Sequence, residues 1–254
     1  MKLRILGCSG GIRKGSGTTS MLVDDDVLID AGTGLGTLTI EEMSKVRHIF
    51  LTHSHLDHIA CLPLLVDSIF DRIETPIIIH ALPATIKALQ SDIFNWAIWP
   101  DFSILPNLQA PVMTYQEMEP GEIFHSDGRS FEMIPVNHIV PTVGYRVECE
   151  TGCFVFSGDT TTNDTLWDAI NAYKQLDLLI VEAAFANKDK ELCQLARHYC
   201  PSLLAEDLQK LTHRPRIAIT HNKPGNEEAI RSELTEAVTD RELIFLESGH
   251  EFEF

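Results

Sequence analysis

Short apolar runs separated by glycine-rich and polar turns fill the first half of the chain, a pattern of strands. The run at 3–6 precedes a Gly/Ser/Thr stretch at 7–20. Residues 21–23 and 27–30 read as a hairpin across Asp24-Asp25-Asp26, and 30–34 as a turn. A buried strand at 46–51 runs straight into Thr52-His53-Ser54-His55-Leu56-Asp57-His58. Ile59, Leu62, Leu65, Val66 and Ile69 then recur at helical spacing, which predicts a helix over 59–70. A strand at 77–80 and a helix at 84–94 follow.

The second half repeats the theme. Strands are expected at 130–135, 143–148 and 154–157, and buried strands at 178–181, 217–220 and 243–246. Helices are expected at 164–173, 201–211 and 227–238. Strand clusters followed by helices, in two similar halves, predict an α/β fold of two packed sheets with helices outside. No linker or low-complexity segment divides residues 1–254, so one domain is expected. The apolar segment 82–112, with Phe94, Trp96, Trp99 and Phe102, suits either core packing or a lid that stacks a nucleobase.

Composition narrows the class. At 44% hydrophobic and 22% charged, the chain is neither a disordered tail nor a fibrous repeat. No apolar run approaches the roughly 18 residues of a membrane span. Residues 1–7 read as a strand rather than a secretory signal, so a cytoplasmic location is expected. The formal net charge is −17. Such a surface repels polyanions and disfavours extended nucleic acid as a partner, while leaving room for a small anionic substrate. The six cysteines are scattered, with no C-x-x-C pair, and are expected to be reduced. A homodimer is only the ordinary prior for a soluble chain.

Chemistry concentrates at His53, His55, Asp57 and His58, four candidate ligands within six residues directly after a strand. In extended backbone, residues two apart point the same way, so His53 and His55 can grip one ion. Asp57 and His58, at the turn into a helix, can face a second. Imidazole and carboxylate suit Zn²⁺, with Mn²⁺ or Fe as alternatives. Four residues cannot complete two sites. His138, Asp159 and His221 each follow a predicted strand and are the candidate partners.

This series resembles the metallo-β-lactamase superfamily: H-x-H-x-D-H at 53–58, then a His, then S-G-D-T at 157–160, then T-H at 220–221. The resemblance covers nearly the whole chain. It implies an αββα sandwich with two divalent ions at the sheet edge. By the resemblance, His53, His55, His138 and Asp159 hold one ion, and Asp57, His58, Asp159 and His221 hold the other. Residues 53–68 resemble the signature of class II cyclic-nucleotide phosphodiesterases, with Cys61 where that signature has Gly or Ser. Glu182, His198 and Thr220-His221 are similar to the RNase Z branch, where a Glu–His pair handles the leaving-group proton.

Both branches cleave phosphodiesters. A pair of cations can neutralise that anion and share the attacking hydroxide. His198 is the candidate proton donor to the leaving oxygen, oriented by Glu182, and Asp57 both binds metal and helps position the nucleophile. The expectation is a dinuclear hydrolase acting on a small cyclic nucleotide of the 3′,5′-cyclic AMP type. The competitors are RNase Z-like RNA processing, thioester or lactam hydrolysis on the same fold, and a metal-binding redox or sensor protein.

Overall fold

The computed structural model describes residues 1–254. Its strands are β1 (Lys2–Gly7), β2 (Ser20–Val23), β3 (Val27–Ile29), β4 (His48–Phe50), β5 (Ile77–Ala81), β6 (Met113–Glu117), β7 (Ile123–Ser126), β8 (Arg129–Pro135), β9 (Val143–Cys149), β10 (Gly152–Phe156), β11 (Leu178–Glu182), β12 (Arg216–Thr220), β13 (Leu243–Phe245) and β14 (Glu251–Glu253). The helices are α1 (Ile40–Met43), α2 (Leu56–Ile59), α3 (Leu62–Ser68), α4 (Pro83–Ala88), α5 (Thr165–Asn171), α6 (Lys190–Leu195), α7 (Pro201–Asp207) and α8 (Glu227–Ala237).

Two seven-stranded sheets result, ordered β14-β1-β2-β3-β4-β5-β6 and β13-β12-β11-β10-β9-β8-β7. Both are mixed. In the first, β3 to β6 are parallel and the rest antiparallel. In the second, β10 to β13 are parallel and β7 to β10 antiparallel.

Successive side chains on a strand point to opposite faces, and here both faces are buried. Met21, Val23, Val27, Ile29 and Phe50 of the first sheet meet Phe131, Met133, Phe154, Phe156, Leu178 and Ile180 of the second between the sheets. Their alternates split. Leu22, Leu28, Ile49 and Ile79 pack under α3 and α4, and Cys153, Val155, Leu179, Val181 and Ile219 pack under α5, α7 and α8. Helix, sheet, sheet, helix is the expected αββα order.

Several elements differ from expectation. The helix predicted over 59–70 is broken into α2 and α3, with Pro63 in the first turn of α3. Proline cannot donate back to a helix that arrives from Ile59, so a new helix starts there. The helix at 84–94 ends early and continues as one π-helical turn, Leu89–Ile93. The strand at 243–246 is half-buried rather than buried, because β13 is the edge of its sheet. The strands β6, β7 and β14 and the helices α1 and α6 were not anticipated. Within 82–112, Phe94 and Phe102 are buried and Trp99 packs against them, while Trp96, Ile98 and Leu108 face solvent. All six cysteines are free, and no helix is long and apolar enough to cross a membrane.

Candidate metal centre

The carboxyl ends of β3, β4, β10, β11 and β12 meet at one rim of the sandwich, the edge where open α/β sheets place their sites. All seven residues expected to bind metal reach that rim. Ligand atoms of His53, His55 and His138 lie within 4.8 Å of one another, and so do those of Asp57, His58, Asp159 and His221.

Asp159 sits between the groups. Its carboxylate oxygens are 3.4 Å from His58 Nε2, 3.2 Å from His221 Nε2 and 3.8 Å from His53 Nε2. Gly158 makes that placement possible. It holds φ +61°, and an added Cβ would lie 2.5 Å from the Val143 carbonyl oxygen. Asp57 Oδ2 is 3.7 Å from His221 Nε2 and 4.0 Å from His58 Nε2, and its side chain is partly exposed, toward the opening.

Four of the five imidazoles, all but His55, are aimed by a partner on the other nitrogen, as metal-ligating histidines usually are. His58 Nδ1 donates to Asp30 Oδ2 at 2.7 Å. Asp30 also accepts from Thr52 N at 2.8 Å and Thr52 Oγ1 at 2.8 Å, which fixes the start of the histidine loop. His53 Nδ1 lies 3.0 Å from Thr52 Oγ1, and His221 Nδ1 3.4 Å from Thr19 Oγ1. His138 Nδ1 donates to the Arg197 carbonyl at 3.0 Å, and its Nε2 faces His55 Nδ1 at 3.3 Å. His221 itself takes φ +62°, with its backbone N–H donating to the Cys8 carbonyl at 2.7 Å.

Burial pushes the pKa of His53 well below the usual imidazole range, with His58 and other histidines adding to that. It pushes His138 down to about 4 and His221 to about 3. Burial acts on His58 in the same direction, but Asp159 and Asp30 outweigh it and raise His58 well above 6.5. Burial would raise Asp159; the surrounding imidazoles, His221 and His58 first, hold it well below the ordinary carboxylate value. The Nε2 atoms of His53, His58 and His221 are buried without a hydrogen-bond partner. Buried imidazole nitrogens, those of His53 and His221 neutral, converging on the Asp159 carboxylate suit divalent cations, which would satisfy them and take the place of the His58 proton.

Beside this cluster, His198 Nδ1 donates to Glu182 Oε1 at 2.6 Å. Glu182 is fully buried and also accepts from the backbone N–H groups of Thr160 at 2.8 Å, Ala184 at 3.2 Å and Tyr199 at 3.2 Å. Burial works to lower the His198 pKa, but the Glu182 carboxylate overrides it and the value is raised. The His198 ring stacks on His221 at 5.4 Å and lies edge-on to His138 at 4.9 Å. The pair therefore adjoins both ligand groups.

Sequence reasoning missed the partners behind the ligands. Asp30 read as a turn residue and Thr19 as part of a glycine-rich turn. An acidic residue ending the wholly apolar run Val27-Leu28-Ile29 was the available signal for Asp30. Nothing local pointed to Arg197.

Two mixed sheets, flanking helices and a His/Asp cluster at the sheet edge define a metal-dependent hydrolase of the metallo-β-lactamase fold. A solved metallo-β-lactamase-fold protein, YhfI from Bacillus subtilis, superposes with a TM-score of 0.80 at 19% identity, over 99% of each chain. The family model described as "Beta-lactamase superfamily domain" matches residues 25–237. The chain belongs to that superfamily. A 3′,5′-cyclic-nucleotide phosphodiesterase of Aliivibrio fischeri is 26% identical over 249 residues, covering 81% of this chain and 74% of that one. A ribonuclease Z of Staphylococcus carnosus (strain TM300) is 33% identical over 128 residues, covering 49% of this chain and 39% of that one.

Proposed function

We propose that the chain hydrolyses a small 3′,5′-cyclic nucleotide. The observation that carries phosphodiester cleavage is the His198–Glu182 pair lying against both ligand groups; the cyclic nucleotide rests on the likeness to the Aliivibrio phosphodiesterase. A phosphodiester with an alkoxide leaving group needs a proton donor there; a nitrophenolate, already stable as an anion, does not.

His53, His55, His138 and Asp159 would hold one divalent ion, and Asp57, His58, Asp159 and His221 a second, with zinc best matched to imidazole and carboxylate. Bound there, the ions supply positive charge to the phosphodiester and lower the pKa of water to about 7. The protein's own groups do the rest. Glu182, pinned by three backbone N–H groups, holds the His198 ring so that Nε2 is free to carry a proton to the leaving 3′ oxygen. Asp57, the most exposed carboxylate of the cluster, orients the attacking water from the open side. The likeness to the Aliivibrio phosphodiesterase over most of the chain supports a cyclic nucleotide. The RNase Z likeness keeps RNA 3′ processing as the second reading, and the net charge of −17 weighs against a polyanionic substrate.

The test is a substrate panel on metal-replete protein: cyclic AMP, cyclic GMP, bis-p-nitrophenyl phosphate, a precursor tRNA and an acyl-glutathione thioester. Cyclic nucleotides should be hydrolysed. His198→Ala should lower that rate by about 10²–10⁴-fold and the nitrophenyl rate far less. Precursor tRNA cleaved in place of the cyclic nucleotides would support RNA processing, and turnover of the thioester alone would overturn phosphodiester chemistry.

A further inference from the structure

The turn after α6 places two neighbouring residues against two different parts of the centre. Arg197 reaches His138, and His198 reaches Glu182. Arg197 holds φ +52°, a left-handed conformation that a side-chain-bearing residue seldom takes. That twist aims its carbonyl at His138 Nδ1, at 3.0 Å, and turns the next side chain the other way. The guanidinium then closes the loop. Its Nη1 donates to the His138 backbone carbonyl at 2.7 Å and lies 3.5 Å from Asn137 Oδ1. The turn has little freedom to relax. Arg197 N donates to Gln194 O at 3.2 Å, His198 N to Cys193 O at 3.0 Å, and Cys193 Sγ to His198 O at 2.9 Å.

We propose that Arg197 is a positioning residue that clamps His138 from two sides and ties it to His198. The proposal rests on the reading above, in which His138 is a ligand and His198 a proton donor. Its carbonyl makes Nδ1 the protonated nitrogen of His138, so Nε2 presents its lone pair toward His55 Nδ1. Its guanidinium anchors the backbone that carries His138, a segment with no regular structure between β8 and β9. In a chain so rich in carboxylates, this arginine spends its donors on a backbone carbonyl and an amide oxygen. Holding a segment in place accounts for that better than surface ion pairing does. Because the two residues are adjacent, displacement of His138 also displaces the proton donor.

The test uses metal-stripped full-length protein, with zinc affinity read by competition against a chromophoric chelator. Arg197→Met keeps the apolar stem and removes the donors; Arg197→Lys restores one donor. The Met variant should bind one of the two zinc ions, the one His138 would help to hold, about 10–100-fold less tightly, as expected for loss of an outer partner of a ligand. The Lys variant should recover most of that loss. The ratio of cyclic-nucleotide to nitrophenyl turnover should also fall in the Met variant and return with Lys. The metal-free melting temperatures of all three should agree. Equal zinc affinity in wild type and Met variant overturns the proposal, as does a metal-free destabilisation that accounts for the whole loss. Wild-type protein that takes up no zinc refutes the ligand reading instead, so the two failures are distinct.

Discussion

A buried imidazole is cheap while neutral and costly once charged, and this chain has one outside the ligand cluster. His80 is fully buried, stacks on Phe50 at 4.3 Å, and shares a hydrogen bond with His48 at 2.9 Å between ring nitrogens. Burial, aided by His48, pushes its pKa from 6.5 down to about 3. The unfolded chain therefore binds this proton from about pH 6.5 downward, whereas the folded chain resists until about pH 3. Stability falls as pH falls through that window, by about 5 kcal/mol at most. Phe in place of His80 keeps the stack and loses the titration. In urea unfolding of metal-free protein, His80→Phe should be more stable than wild type near pH 4.5 and close to it at pH 8. A constant difference between the two across that range would contradict the assignment. At this scale the seven candidate ligands were legible, because four cluster in six residues and three follow apolar strands. Asp30, Thr19 and Arg197 were not. Their contacts join positions far apart in the chain, and the residues around Thr19 and Arg197 carry no local signal.

Elements place these residues by backbone crowding as much as by side-chain packing. Gly10 donates its N–H to the Asn222 carbonyl at 3.0 Å, next to His221. An added Cβ would lie 2.5 Å from the His221 carbonyl oxygen and 3.1 Å from its Nε2. Gly10→Ala should push the end of β12 outward, cost about 1–3 kcal/mol in stability and weaken zinc binding. Gly36→Ala, where an added Cβ meets nothing within 4 Å, should leave affinity unchanged. Calorimetry of the two variants checks the contrast. Buried strands were readable because both faces are apolar, as in β10 and β11. The strands β7 and β14 were not: they are sheet edges, and β14 offers only Phe252 to the core. Helix α1 had a readable start, Thr39 and Glu42 capping each other at 3.2 and 2.8 Å, but buries no residue to give it a periodic stripe.

For the whole molecule, the proposed ions would act as a cross-link between the two halves. His53 to His58 follow a strand of one sheet; His138, Asp159 and His221 follow strands of the other. Ligands that bind only the folded state stabilise it by about 2.7 kcal/mol at a hundredfold excess over Kd and about 4.1 at a thousandfold. Chelation should therefore lower the melting temperature by about 5–15 °C, with zinc restoring it. No change in a scanning calorimeter would show that the cluster does not couple the sheets through metal.

The spread of donors along the chain also orders events during synthesis. A nascent polypeptide that has passed residue 58 owns one wall of the cradle; the opposite wall is incomplete until His221 has left the ribosome. On the proposed ligand set, metallation would wait for a finished and closed sandwich, and each newly made copy would pass first through an ion-free form.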